Sequence, residues 1–329
     1  MKKINLMPPF ESIRTKPANL ISSDEYLFKH EFRRTFKGNH YLICKNIILA
    51  NESIISLFGI FFYAKYWYFY KPNIARIIKD TLKNYLRTSK SNLVIDEGIW
   101  ITDNKSSVYF HWLCDAMTRY ENLPDSIKDT PVLIPEKFQN DWTIEMLRFL
   151  NIPFIIFRRD EKIKVKKLFV PSYTAPSGNF NKEIITKLSL NLKNIAAELP
   201  TPDGNFNKIW ISMDKHRRPV KNIEEIRPIL KKHGFVELIL EDLSIHEKIN
   251  ILRSCKVLVG SHSSGLTNMM FMSKGGKVVD IRDPRDEIKN AFFSLASEFE
   301  IKYYYMEREN NFSEVVIDPE KLKNLFLAL

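Results

Sequence analysis

The chain has 329 residues, 44% of them hydrophobic and 27% charged, which is enough for one large core or two ordinary ones. Fifty Lys and Arg against 39 Asp and Glu leave a net charge of +11, a balance that favours anionic partners such as phosphorylated ligands, acidic lipid or nucleic acid. Ten glycines exclude a collagenous or glycine-studded repeat chain, and no zinc finger, basic heptad or aromatic RNA-binding motif directs the charge to nucleic acid.

The opening stretch, MKKINLMPPFESIR, carries two lysines without the apolar run of a secretory signal. Cys44, Cys114 and Cys255 lie far apart and form no CxxC, so neither a disulfide set nor a zinc cluster is expected. A reducing cytoplasm is the expected compartment. Tyr41–Ala50 reads as a strand. The apolar run Ile54–Ala64 is 11 residues long, too short to span a bilayer. It continues into Tyr66-Trp67-Tyr68-Phe69-Tyr70, which suits a membrane interface but more simply reads as strands packed in a core. Ile74, Ile77, Ile78, Leu82, Tyr85 and Leu86 recur at helical spacing over residues 73–88. Leu93–Ile101 is a predicted strand, Ser106–Tyr120 a helix, Pro131–Pro135 a strand and Trp142–Leu150 a helix, followed by strands at Phe154–Phe157 and Lys167–Val170.

Leu199–Asn207, with two Pro, Gly, Asn and Asp, is the best linker, dividing a domain over 1–198 from one over 199–329. Beyond it, strands at Ile209–Met213, Phe235–Leu240, Val257–Gly260, Lys277–Ile281 and Lys302–Met306 alternate with helices. Those helices are Ile223–His233, ended by Gly234, then Ser244–Ser254, the short Gly265–Met272, Arg285–Glu298 and the closing Pro319–Leu327. Ser244 and Glu247 stand at capping-box spacing. Alternation of this kind implies a doubly wound parallel sheet.

Five of the ten glycines fall between Gly234 and Gly276. Within that region Val257-Leu-Val-Gly-Ser-His-Ser-Ser-Gly-Leu-Thr-Asn268 reads as strand, polar turn and helix start. In a parallel sheet this turn lies at a strand's carboxyl end, where ligands bind. Ser263 or Ser264 could cap the helix, whose free N–H groups suit a phosphate, and Gly260 and Gly265 would allow close backbone approach. Leu266 stands where a phosphate-binding P-loop needs Lys, and no GxGxxG occurs, so neither of those nucleotide motifs applies. Lys215-His216-Arg217-Arg218 follows another strand end and could clamp a diphosphate, although a solvated basic turn fits the same residues. Asp280, closing a strand, could accept from a ribose or cap the next turn. His111, Asp115 and Arg119 share one helix face at i, i+4 and i+8, as a general base with its partner and an anion-holding Arg would, or as surface ion pairs. No Asp-x-Asp, HExxH or paired His at ligand spacing occurs, so no metal is expected.

These pieces resemble glycosyltransferase family 61, including its bacterial capsular and lipopolysaccharide members. The resemblance rests on Ile209-Trp-Ile-Ser212, Arg217-Arg218, Gly234-Phe235, Val259-Gly-Ser-His-Ser-Ser-Gly-Leu-Thr-Asn268, Phe271-Met272 and Gly275–Ile281. Upstream, Ser107-Val-Tyr-Phe-His-Trp-Leu-Cys-Asp115 with Arg119 matches the family's His-Trp-Leu-x-Asp stretch. The chain departs by carrying His262-Ser263-Ser264-Gly265 where the family usually has His-Gly-Ala-Gly, and Asp280 where Glu is common.

The resemblance implies a GT-B enzyme of α/β class, two Rossmann-like domains facing across a cleft, with the closing helix expected to return to the N-terminal domain. It implies inverting, metal-independent transfer of a hexosyl or pentosyl group from a nucleotide-sugar, typically UDP-activated, to a hydroxyl of a cell-surface polysaccharide or lipid-linked glycan. Asp115 is then the first choice for general base, with His111 as partner or alternative and Arg119 orienting the acceptor side. Lys215, Arg217, Arg218, His262, Ser263, Ser264, Gly265, Leu266, Thr267, Asn268 and Asp280 would hold the donor. Neither a cofactor beyond the nucleotide-sugar nor a nucleic-acid partner is expected, and the compartment is the cytoplasm, with the inner membrane face as a site of peripheral association. A non-catalytic nucleotide-sugar-binding module and a basic nucleic-acid-binding protein stay open as alternatives.

Overall fold

The computed structural model describes residues 1–51, 53–56, 74–215, 219–286, 288–309 and 314–329. Two compact units emerge, each made of two chain segments: Met1–Phe10 with Phe36–Ser177, and Glu11–Thr35 with Gly178–Leu329. The expected break after residue 198 therefore lies inside the second unit. Helix Lys182–Ala197, read above as the end of the N-terminal domain, buries Ile184, Ile185, Leu188, Leu192 and Ala196 there. Its Ser189 hydroxyl donates to the Met270 carbonyl at 2.7 Å, and Asn250 donates to the Ala196 carbonyl at 2.8 Å. The Pro- and Gly-containing stretch after it leads, through bends, into the strand Lys208–Ile211 of the same unit. Turn residues mark where a chain bends, and that need not be where a domain ends.

Strand β1 (Lys2–Met7) opens the chain, and β2 (Phe10–Ile13) pairs with β3 (Arg33–Phe36) as a small ribbon. The first unit then supplies β4 (Asn39–Ala50), β5 (Ser53–Ser56), β6 (Ser89–Ile99), β7 (Val132–Pro135), β8 (Phe154–Phe157) and β9 (Glu161–Pro171). Its sheet runs β1-β4-β9-β6-β7-β8, with β5 folded back on β4. β9, β6, β7 and β8 are parallel, whereas β1, β5 and β9 all meet β4 antiparallel. This is a mixed sheet, so the expectation of a Rossmann-like parallel sheet in each half is met only in the second. The cause is β4, which turns back at Asn51 (φ +51°) into β5 and so forms a hairpin where a parallel sheet needs a crossover helix. The inward residues of β4 and β9, including Cys44, Ile47, Leu49, Ile163 and Val165, form the core with Trp100 and Leu133. The apolar and aromatic run over residues 57–70 lies outside the described residues.

The second unit carries β10 (Lys208–Ile211), β11 (Val236–Leu238), β12 (Val257–Ser261), β13 (Lys277–Arg282) and β14 (Lys302–Glu307). They form a wholly parallel sheet in the order β11-β10-β12-β13-β14. The chain leaves β10 to one side for β11 and returns on the other for β12. The switch point therefore lies between β10 and β12, where such sheets open a crevice at their carboxyl edge. Helix Ile223–Lys232 ends as expected, with Gly234 at φ +74°, and the Ser244–Glu247 capping box is formed. The closing helix Pro319–Ala328, capped by Asp318, packs within this unit: Leu322 and Phe326 join Trp210, Ile226 and Val257 in its core. Phe326 stacks on Phe235 with ring centroids 4.4 Å apart. This corrects the expected return of that helix to the N-terminal domain, because its apolar face is already spent on its own sheet.

Candidate functional site

Two imidazole–carboxylate pairs stand out, one in each unit. In the first unit the predicted helix is interrupted. One α-turn, Tyr109–His111, widens into a π-helical turn over Trp112–Ala116 before α-helix resumes at Met117–Glu121. Wide turns of this kind re-aim side chains and recur at functional sites. His111 Nδ1 lies 2.7 Å from Asp115 Oδ2, and the Ser177 hydroxyl donates to the same oxygen at 2.7 Å. A carboxylate can only accept, so His111 carries its proton on Nδ1 and Nε2 becomes the basic nitrogen. The Asp115 side chain is 2% exposed while the His111 ring keeps 17%. Burial raises the Asp115 pKa above the ordinary carboxylate value, opposed by His111 and Ser177.

Arg119 does not join them. It is fully buried, donates to the Ile101 carbonyl at 2.6 Å, lies 3.8 Å from Asp103 and stacks its guanidinium over the Tyr173 ring at 3.8 Å. Tyr173 in turn donates to Asp103. Beyond the π-turn, Arg119 ties the loop after β6 to the loop after β9 and is buried between them. Asp103, Tyr173 and Ser177 were not picked out in the sequence. Their one signal was placement, since β6 and β9 are parallel and both loops leave the same edge of the sheet.

In the second unit β12 delivers His262, whose Nδ1 lies 2.8 Å from Asp280 Oδ2 on β13. Tyr303 on β14 donates its hydroxyl to the same oxygen at 2.8 Å. Burial, then the Asp280 charge, pushes the Tyr303 phenol well above its usual pKa, so it stays a donor. Asp280 is fully buried, with Oδ2 shared by His262 and Tyr303. The His262 ring also meets Phe292 edge-on at 4.8 Å and lines a cavity of about 320 Å³ with Ser261, Asp283, Asp286, Lys289 and Arg308, in which Lys289 pairs with Asp286 at 2.9 Å. These residues sit at or beyond the carboxyl ends of β12, β13 and β14. Asp283, held by Arg285 and Arg308, has its pKa strongly depressed.

The turn after His262 differs from expectation in three ways. Ser264–Phe271 is 3-10 rather than α-helical, and Ser263, extended at φ −148° and ψ 166°, makes no capping bond. The Ser263 hydroxyl instead lies 3.8 Å from the Met213 sulfur. Leu266, Thr267 and Asn268 are buried, with Asn268 donating to the Gly265 carbonyl at 2.9 Å. Gly260 and Gly265 serve packing. A Cβ on either would press on the Ile211 side chain, at 3.1 Å and 3.2 Å. Lys215 is engaged with both Asp242 oxygens at 2.6 and 2.7 Å. Arg217 and Arg218 lie outside the described residues.

Among the described residues no group of three or more His, Cys, Asp or Glu side chains is placed to hold a metal ion. No helix there is long and apolar enough to cross a membrane. A parallel α/β sheet with a polar cavity at its carboxyl edge defines a class of ligand-binding α/β protein. The family follows from the chain itself: residues 109–279, just over half of it, match the model of Glycosyltransferase 61, and the protein belongs to that family. Members transfer a sugar from a donor to an acceptor. The matched span begins at the helix bearing His111 and ends one residue before Asp280. No curated protein matches the chain.

Proposed function

We propose that the protein is an inverting glycosyltransferase of GT-B type that takes a sugar from a nucleotide-sugar, UDP-activated, to a hydroxyl of a cell-surface polysaccharide precursor in the cytoplasm. The observation that carries this reading is the His111–Asp115–Ser177 cluster inside the family-matched span. His111 Nε2 removes the acceptor's proton as that oxygen bonds to the anomeric carbon. The bond from that carbon to the phosphate oxygen breaks, and the nucleoside diphosphate departs with the electron pair. Asp115 stabilises the imidazolium that forms, which makes it the positioning partner and His111 the base. The buried, twice-bonded carboxylate is poorly placed to meet an acceptor, whereas the ring above it is partly exposed.

In the second unit the diphosphate would lie against the cavity lined by His262, drawing Lys289 and Arg308 from their carboxylate partners Asp286 and Asp283, with Arg217 and Arg218 as further donors to its oxygens. The absence of Asp-x-Asp from the sequence favours a leaving group stabilised by such side chains. The test pairs binding with turnover. UDP, UDP-glucose and UDP-xylose, with GDP and CMP sugars as contrasts, are screened for a rise in melting temperature, since a ligand bound to the folded state stabilises it by mass action. His111→Ala should keep the nucleotide-induced rise and lose transfer by at least about 10²-fold. Wild-type transfer in His111→Ala, or no shift with any nucleotide, overturns the reading.

A further inference from the structure

The last turns of helix Ile74–Arg87 in the first unit place polar residues inward. Thr81 and Thr88 are buried, and Asn84 donates to the Ser53 hydroxyl at 2.8 Å. Leu82, Tyr85 and Leu86, the apolar residues of its last turns, are 47%, 39% and 77% exposed. Scattered exposed leucines are ordinary on protein surfaces. These three are different because they follow one another at helical spacing and border a row of cations, Lys79, Lys83 and Arg87, at i, i+4 and i+8.

Lys83 and Arg87 also line a cleft of about 670 Å³ together with Arg158 and Arg159. Its acidic residues are Glu136, which accepts the Arg159 backbone N–H, and Asp160, which holds Arg158 at 2.9 and 3.0 Å. Four cations against two anions leave it positive. The charge continues onto β9, where Lys162 lies over the Tyr85 ring at 4.2 Å. An apolar helix edge flanked by lysine and arginine is the pattern of a helix lying in the plane of a membrane surface. Anionic headgroups meet the cations while the leucines enter the acyl boundary.

We propose that this helix edge and the adjoining basic cleft dock the protein on an anionic lipid bilayer. Nucleic acid would use the cations and leave Leu82 and Leu86 without a role. The inference is independent of the proposed glycosyl transfer, because membrane binding is read without donor or acceptor.

The experiment is co-sedimentation of the full chain with vesicles of phosphatidylcholine alone, or with about one-third phosphatidylglycerol. Binding is expected only to the anionic vesicles and should weaken with salt. Lys83→Gln with Arg87→Gln should lower affinity about 25-fold, roughly fivefold for each cation lost. Leu82→Ser with Leu86→Ser should lower it about tenfold or more, with circular dichroism and melting confirming the fold. A control, Lys321→Gln with Lys323→Gln on the closing helix, removes the same charge and should change affinity less than about threefold. Three results overturn the proposal: no binding to anionic vesicles, unchanged binding in the leucine variant, or a control that loses as much as the cleft variant.

Discussion

Replacing Asp115 by asparagine should move activity and stability in opposite directions. The side chain accepts from His111 Nδ1 and from Ser177 Oγ, both at 2.7 Å on one oxygen. Asparagine has nearly the same shape and keeps a carbonyl oxygen for the imidazole, so packing and the His111 tautomer can survive. What disappears is the negative charge that stabilises an imidazolium. General-base assistance contributes about 10²–10⁴ in rate, so turnover should fall by that factor, equivalent to about 2.7–5.4 kcal/mol of barrier. Stability runs the other way. The Asp115 pKa is raised from 3.8, chiefly by burial, so between its unfolded and folded values the native state binds more protons than the unfolded chain. Wild-type stability therefore declines as pH rises through that window and stays lowered above it. The asparagine variant lacks this decline, and its melting temperature should draw level with or exceed the wild type toward neutrality. The assays are steady-state transfer with a turnover-competent nucleotide-sugar and thermal melts across the acidic to neutral range. Turnover within about threefold of wild type, or a variant whose relative stability falls as pH rises, would refute the reasoning.

Two further substitutions probe the second unit. Glu298 is buried, accepts from Ser12 at 2.8 Å, and has its pKa raised mainly by burial against the pull of Ser12 and Arg14. Glu298→Gln keeps an acceptor for Ser12 and should stabilise the protein at neutral pH. The gain should fade as pH falls toward the unfolded glutamate value of 4.5, because the wild-type side chain is then protonated as well; chemical denaturation at two pH values would expose the wrong sign. Gly260→Val would drive a branched side chain into Ile211, whose nearest atom already lies 3.1 Å from a Cβ at that position. An overpacking loss of about 1–3 kcal/mol is expected in urea melts, and a change below about 0.5 kcal/mol would show that the two strands have room to part.

Elements that depend on local chemistry were the legible part of this fold. The capping box at Ser244, the left-handed Gly234 and the alternation from residue 208 onward each follow from a few neighbouring residues, and together they specify the parallel sheet. What escaped depends on pairing across long separations. β4 meets β9 over more than a hundred residues of chain, and nothing in either strand declares the partner antiparallel. Residues Glu11–Thr35 belong with a unit whose remainder begins at Gly178, and a linear reading has no means of reassigning them. The site follows the same rule. His111 and Asp115 are one turn apart and were visible together, while Ser177 reaches them from 62 residues away. Arg119 shared their helical spacing, yet the π-turn at Trp112–Ala116 shifted the phase and sent it to Ile101. The glycines stand out in the sequence as an unusual concentration, but Gly260 and Gly265 lie tight against the side chain of Ile211, a residue on the neighbouring strand β10.

The two imidazole–carboxylate pairs share a construction that bears on how each would work. In both, Nδ1 is bound to a carboxylate oxygen that also receives a hydroxyl from a third segment, Ser177 in one and Tyr303 in the other. Each ring is therefore fixed in orientation by a buried acceptor, leaving Nε2 as the working nitrogen. Their surroundings separate them. His262 lines a cavity whose charges are already matched, Lys289 paired with Asp286 and Arg308 with Asp283. His111 lies beside Phe110, the two rings 5.1 Å apart edge-to-face, with the buried Asp115 at its Nδ1. In both pairs the carboxylate at Nδ1 would stabilise the cation formed when Nε2 takes a proton, which is what proton removal from an acceptor hydroxyl requires. In the proposed transfer that step falls to His111, and a diphosphate beside His262 would have to draw Lys289 and Arg308 away from Asp286 and Asp283.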